Sequence, residues 1–516
     1  MFLHPYENRC IAVLQKNIIN FYSQTPPAVL FVGLVVAVTP LLPIPALTGT
    51  GYHDGQRILL VICVCVGVVT MSLRMWRAKL ASSKLMPVLP VSRLVLWLLI
   101  IFMGLGFLSS LRAYSVQFAL YEWSTTALLL VLTSTIAAEV AQNRIAALKS
   151  LAVLGAIGCS LYVFNALVAY VSMLLLGIQA HPNDLLVGFD NYRFFNHVQT
   201  VSLPLLALLA LRSGSIGSNL YRYRYGLRIL IIAWWMLLFV TGGRGTLVGL
   251  LAGSSAALFF FRRDAMTWCR HMLIGAMAGL TASWAIYTCV PILFGLQPFG
   301  LLGNVAARTV ENVDSGRMPL WRLATEMTMA EPWLGAGPLH FAHVGRFLQV
   351  AAHPHNWVLQ IASEWGIPAL LCFSGLIFVG LRRLVMTGRS PDVNRPDRLT
   401  VLAALLATGI AIVVDGLVSG LIVMPASQLW IALYVGGAWG WTERFNKSMA
   451  VSPASLSSVT RGCVTAFLVL LMALSAYGLW PAGLNLPKHE KGNERYQLSQ
   501  TDGHLSPRVW RHGFFE

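Results

Sequence analysis

Apolar residues come along this chain in long runs separated by short charged segments. The runs fall near 28–47, 57–73, 94–110, 114–138, 151–178, 197–211, 227–241, 245–261, 273–295, 367–381, 399–417, 424–441 and 463–480. The hydrocarbon core of a bilayer takes about 20 apolar residues per helix, so each run predicts a membrane-crossing helix. There are thirteen, and because some are short, twelve spans fit equally well. No repeat of 20–50 residues is visible, which excludes a repeat array. The expected fold class is therefore all-α: a polytopic integral membrane helical bundle of about 12–13 spans. The expected organisation is residues 1–295 with the first nine spans, 296–366 as one long loop, 367–480 with the last spans, and 481–516 as a polar tail.

Composition agrees with the pattern and closes off other classes. Of 516 residues, 56% are hydrophobic and 11% charged, against about 25% charged in soluble domains, and mean hydropathy is +0.67. A soluble enzyme and a disordered chain are both excluded. The eight cysteines lie mostly inside apolar runs and suggest neither a disulfide scaffold nor a CxxC metal site. The polar start, without a small-residue cleavage site, predicts no cleaved signal peptide.

Charge changes the picture once more. Lys and Arg number 37 against 20 Asp and Glu, a net +17, which in a soluble chain would suggest nucleic acid. With the N-terminus placed in the cytoplasm, the inside segments hold 24 Lys and Arg and the outside segments 8; the tail holds the other 5. That asymmetry is the positive-inside signal, so the basic excess is mostly topological and nucleic acid is not an expected partner. Thirteen spans put the tail outside, although its charges favour the inside.

The outside loop 296–366 is long enough to be functional rather than connective. Asp314 or Ser315 is placed to cap a helix over about 316–330, stopped by Pro332. That helix is amphipathic and expected to lie on the bilayer surface. A second is expected over 339–350 and a third from His355 to Trp365, ahead of Gly366.

Four outside residues carry candidate chemistry. Arg193 stands in Asn191-Tyr192-Arg193-Phe194 just before a span, Arg244 in the turn Gly242-Gly243-Arg244-Gly245, Arg317 after Ser315-Gly316, and His355 in His353-Pro354-His355-Asn356. Guanidinium suits bidentate phosphate contact, and a helix N-terminus favours anions. Three arginines on the face where the chain avoids positive charge fit a diphosphate. Each also has a plain alternative: Arg244 as a snorkelling side chain, Arg193 paired with Asp190, Arg317 paired with Asp314 or Glu311. A histidine at a helix N-terminus is disfavoured as imidazolium, so His355 is expected below about 6.5, neutral and able to take a proton from a hydroxyl. Asn356 either binds substrate or caps the helix. His340, His343, His353 and His355 lie within 16 residues, but no cysteine or nearby DxD joins them, so no metal site is expected. Asp415, near the outer end of a span, keeps an ion path in view.

Taken together, Ser315-Gly316-Arg317, Pro332-Trp333-Leu334-Gly335-Ala336-Gly337 and His355-Asn356 with Gly366 ten residues after Asn356 resemble the O-antigen ligase superfamily. It includes lipopolysaccharide O-antigen ligases, O-antigen polymerases and bacterial protein O-oligosaccharyltransferases. The family's His-[Asn/Ser/Gln]-x9-Gly element matches at His355, Asn356 and Gly366, while Ala369 stands where the pattern often has Gly, Thr or Tyr. The resemblance implies a glycosyltransferase of the inner (plasma) membrane, working on the periplasmic face without cofactor or metal. The implied donor is a polysaccharide on undecaprenyl diphosphate, and for a ligase the acceptor is lipid A–core. It implies that Arg317 and Arg244 hold the diphosphate with Arg193 assisting, that His355 acts as base, and that Asn356 contacts substrate. Direct attack at the anomeric carbon would invert it. Polymerase and protein-glycosylating activities remain alternatives. A polysaccharide or lipid transporter is the non-enzyme alternative, disfavoured by nearly charge-free spans and the absence of symmetric repeats.

Overall fold

The computed structural model describes residues 26–41, 51–80, 91–216, 223–299, 316–348, 350–390, 395–443, 457–480, 483, 507–511 and 513–515. Among these residues the secondary structure is helical, with no strand. The main helices are α1 (Pro27–Val38), α2 (Tyr52–Leu80), α3 (Arg93–Arg112), α4 (Val116–Gln142), α5 (Arg144–Leu175), α6 (Tyr192–Ile216), α7 (Arg224–Thr241), α8 (Arg244–Phe261) and α9 (Arg263–Trp284). They continue with α10 (Arg317–Ala330), α11 (Trp357–Trp365), α12 (Ile367–Gly388), α13 (Pro396–Asp415), α14 (Pro425–Glu443) and α15 (Ser458–Leu479).

Among the described residues, eleven helices are long and apolar enough to cross a bilayer, two fewer than the thirteen runs. The other two runs are helical as well. The first is the 12-residue α1, too short to cross alone at 1.5 Å per residue. The other is the 19-residue α14, which carries Ser427, Gln428, Thr442 and Glu443 and buries most of its length against the bundle. Beyond α9 the chain runs through a π-helical turn, Ala285–Cys289, and Val290–Leu293, so the span covers Arg263–Leu293.

Small residues set the closest helix pair. Gly245, Gly249 and Gly253 repeat every four residues on α8 and face Asp415, Ala411 and Ala407 of α13. A methyl at Gly249 would stand 2.7 Å from the Ala411 carbonyl oxygen, and one at Gly253 would be closer still to Ala407. This is the small-xxx-small seam that lets membrane helices touch backbone to backbone. It fixes Arg244, the first residue of α8, beside the last turn of α13.

The two ends of the bundle are held differently. At the end away from the 316–366 segment, Glu139 of α4 is fully buried. It accepts the Ala28 and Val29 amides at 3.2 and 2.9 Å and pairs with Arg74 at 3.3 Å, a carboxylate placed on the positive end of α1. Arg383 pairs with Glu443 at the same end. At the other end the 316–366 segment sits on the bundle. Its Glu331 pairs with Arg112 at 3.7 Å, and His340 accepts the Ser115 amide at 2.9 Å. The loop helix expected over about 316–330 is α10, and Asp314 and Ser315 lie outside the described residues. Its buried side is taken up within the protein: Leu320, Ala324 and Met327 pack on Phe341 and Ala351, while Met318 and Met329 are exposed. The second expected helix shrinks to Phe341–Val344 followed by the 3-10 turn Gly345–Phe347.

Candidate functional site

The nine residues between Asn356 and Gly366 are the helix α11. Asn356 is its N-cap: Oδ1 accepts the Val358 and Leu359 amides at 2.9 and 3.1 Å, as short polar side chains do at helix starts. Gly366 ends it at φ 88°, a region that disfavours a Cβ, and a Cβ there would also strike the Trp333 carbonyl. The stretch Pro332–Gly337 lies alongside. Ala336 N donates to Ser363 O at 2.9 Å, Gly337 N to Glu364 O at 3.0 Å, and Ile367 N to Pro332 O at 2.8 Å. The spacing read as a family signature is thus the length of one capped helix, and the Pro-Trp-Leu-Gly-Ala-Gly stretch is the strap that seats its end. Of Asn356, the side-chain oxygen is engaged in capping, so only its NH2 remains for substrate.

His355 precedes that cap at φ 54°, a sparsely populated conformation for a non-glycine residue. Neighbours hold it there. Trp321, one turn into α10 from Arg317, donates its indole N–H to the Pro354 carbonyl at 3.0 Å. Trp357 donates its backbone N–H to Gly416 O at 3.0 Å and its indole N–H to Val413 O at 3.1 Å. The histidine segment is thereby tied to α10 on one side and to the end of α13 on the other. Burial, then the charges of Arg317, His197 and Arg193, push the His355 pKa down to about 3. The direction is the one expected from the sequence, but the cause is burial and neighbouring cations rather than a helix dipole. Arg317, Arg193 and His355, 162 residues apart at the extremes, thus act on one another.

Arg244 enters the same corner. Gly242 takes φ 63° and ends α7, and Gly243 packs against Asn196. Asn196 donates to Thr241 Oγ1 at 2.7 Å, and its carbonyl accepts from Thr246 Oγ1 at 3.1 Å. Thr200 and Thr246 both donate to Asp415 Oδ2, the latter at 3.3 Å. The arginine turn, the N-terminal part of α6 and the end of α13 thus share one buried polar knot, from which the Arg244 side chain projects exposed. Arg193 is also exposed, its guanidinium 5.9 Å from the Tyr192 ring centre. Asp190, weighed above as its partner, instead caps α2 through the Tyr52 and His53 amides at 3.3 and 3.0 Å. Glu311 and Asp314, the partners weighed for Arg317, lie outside the described residues.

The four loop histidines divide into two pairs. His340 and His343 are 6.3 Å apart between ring centres and gather around Phe515. His353 and His355 are 4.1 Å apart. His353 is 1% exposed, neither ring nitrogen has a hydrogen-bond partner, and burial above all lowers its pKa well below the ordinary value. Among the described residues no group of three metal-ligating side chains is found. Sequence reasoning passed over His197, which stands four residues after Arg193 and so on the same helix face. It also passed over the Gly245-x3-Gly249-x3-Gly253 repeat that positions Arg244. Both signals were present in the sequence.

The fold brings Arg317 and Arg193 within electrostatic reach of His355 and starts α8, at Arg244, beside the end of α13. A family model described as O-antigen ligase matches residues 228–374, a segment that contains Arg244, Arg317, His355, Asn356 and Gly366. No curated protein sequence gives a significant match.

Proposed function

With residues 228–374 matching the O-antigen ligase family, which supports membership of that superfamily of membrane glycosyltransferase-like enzymes, we propose that this multi-pass protein is an O-antigen ligase. It moves polysaccharide from undecaprenyl diphosphate onto lipid A–core at the periplasmic face of the inner membrane. The observation that carries the reading is the seating of the His355 segment on α10, the helix that Arg317 opens, through the Trp321–Pro354 hydrogen bond inside the matched segment.

The chemistry follows from the charges of Arg317 and Arg193 on His355. The acceptor hydroxyl oxygen attacks the anomeric carbon, and the carbon–oxygen bond to the diphosphate breaks. The leaving diphosphate takes the electron pair and is stabilised by arginines aimed at its developing charge. The hydroxyl proton goes to the His355 imidazole. An imidazole with a pKa of about 3 is a weak base, so the donor itself must arm it. A diphosphate bound among the arginines offsets their part of the depression and raises the His355 pKa, while the larger part, which burial contributes, remains. Proton acceptance then waits for the lipid-linked donor. Attack from the face opposite the diphosphate inverts the anomeric carbon, and linkage analysis of the product checks this.

The deciding experiment is the lipopolysaccharide banding pattern of a deletion strain carrying wild type, His355→Ala or Arg317→Ala, with expression verified. Intact core without O-chain, with lipid-linked polymer accumulating and neither variant restoring banding, is the expected result. Core bearing a single repeat unit would make the protein a polymerase. An unchanged pattern would overturn both and return attention to protein glycosylation or transport.

A further inference from the structure

Residues 507–511 and 513–515, far beyond the last described helix, lie at the end of the bundle that carries His355. Arg508 is 1% exposed. Its Nη1 donates to Glu364 Oε1 at 2.9 Å and its Nη2 to Oε2 at 2.7 Å, the planar fork that only arginine offers a carboxylate. Glu122 stands 3.6 Å from Nη2. Nη1 also reaches the Ala352 carbonyl at 3.5 Å. Glu364 lies in the last turn of α11 and Ala352 three residues before His355, so one guanidinium grips both flanks of the segment bearing His353, His355 and Asn356.

The segment is itself anchored from several sides. Arg57 donates to the Arg508 carbonyl at 2.6 Å, and the Arg511 amide donates to Asp54 Oδ1 at 2.6 Å. The Phe515 ring lies 4.6 Å from Phe118 and 5.5 Å from His343. His355 needs such restraint, because a non-glycine residue at φ 54° persists only where its surroundings over-determine it. Trp321 and Trp357 restrain the segment from α10 and α13; Arg508 closes the remaining side.

We propose that residues 507–511 form a positioning strap, through which Arg508 holds His355 in register with Arg317 and Arg193. Arg508 touches no reacting atom in this arrangement and is a positioning residue. The inference rests on the transfer reaction proposed above, and the test separates the two.

The full-length protein is purified in detergent as wild type, Arg508→Lys and Arg508→Ala. Amide hydrogen exchange is followed over 350–365, and transfer from a lipid-diphosphate-linked donor is measured in parallel. The expected result is exchange at least ten-fold faster over 350–358 in both variants, with α4 unchanged. Turnover falls ten-fold or more while KM for the donor stays within two-fold, and guanidinium ion, but not ammonium, restores Arg508→Ala. Should Arg508→Ala fail to fold, Arg508→Lys alone decides, since it keeps the charge and loses the fork. Unchanged exchange and turnover in Arg508→Lys overturns the strap, as does a loss that tracks the folded fraction along the whole chain. A wild type without transfer overturns the reaction, and the exchange comparison still judges the strap.

Discussion

Both ends of this bundle pair a buried carboxylate with arginine, Glu139 with Arg74 and Glu364 with Arg508, but the second end also gathers histidines beside cations. At one end Glu139 is matched at close range by Arg74 and by two backbone amides. At the other, Arg193, Arg317 and His197 press on His355, and the buried ring nitrogens of His353 and Nδ1 of His197 have no hydrogen-bond partner. A satisfied buried charge contributes to holding helices together. The family match runs through several crossing helices and includes His355, Arg244 and Arg317 at the second end.

Breaking the comparison begins there. His355→Asn keeps a residue that tolerates positive φ and removes the base; transfer is expected to fall about 10²- to 10⁴-fold with the thermal unfolding midpoint unchanged. Retention of transfer within ten-fold would show that His355 takes no proton. At the opposite end Glu139→Gln should do the reverse. Uncompensating Arg74 costs about 3–5 kcal/mol, read as a lower unfolding midpoint in detergent, while activity per folded molecule is unchanged. A turnover defect at full stability would erase the distinction between the ends.

The pH profile sharpens it further. With His355 lowered to about 3, kcat/KM, which reports the free enzyme, should show no inflection near 6.5. If the donor cancels the cationic field, kcat should show its acid limb at higher pH than kcat/KM. Coincident limbs would remove donor arming from the mechanism. The same shift bears on stability. Between about 6.5 and about 3 only the unfolded chain takes up this proton, so stability from this residue is present above that window and is lost as pH falls through it. The smallest effect is expected at the cap. Asn356→Ala should cost about 0.5–2 kcal/mol, and Asn356→Asp should restore it. If Asp restores the midpoint but not the turnover, the Asn356 NH2 contacts substrate as well as sitting on a cap.

Much of this was legible in the sequence, and the reasons are physical. A bilayer demands about 20 apolar residues per crossing, so the runs report spans directly, and the runs at 28–47 and 424–441 diverge for local reasons. Among the described residues the first is α-helical over 12 residues, and α14 is a buried helix dotted with polar residues. The lysines and arginines give an expected orientation, because their cost depends on side. The pattern His355-Asn356-x9-Gly366 is local, since cap, helix length and positive-φ glycine are all short-range rules. Arg193, Arg244 and Arg317 were noticed as charges where charge is avoided.

What only the tertiary structure decided is which of these meet, because long-range contacts leave no local trace. No spacing links Arg317 to His355 until Trp321 is seen donating to Pro354. Asp190 was near enough in sequence to claim Arg193, yet it caps α2 instead. The polar tail read as a topological misfit, and its Arg508 proved to be buried against Glu364, 144 residues away. Hydrophobic runs and caps are decided by neighbours along the chain; buried ion pairs and the field on a histidine are decided by neighbours in space.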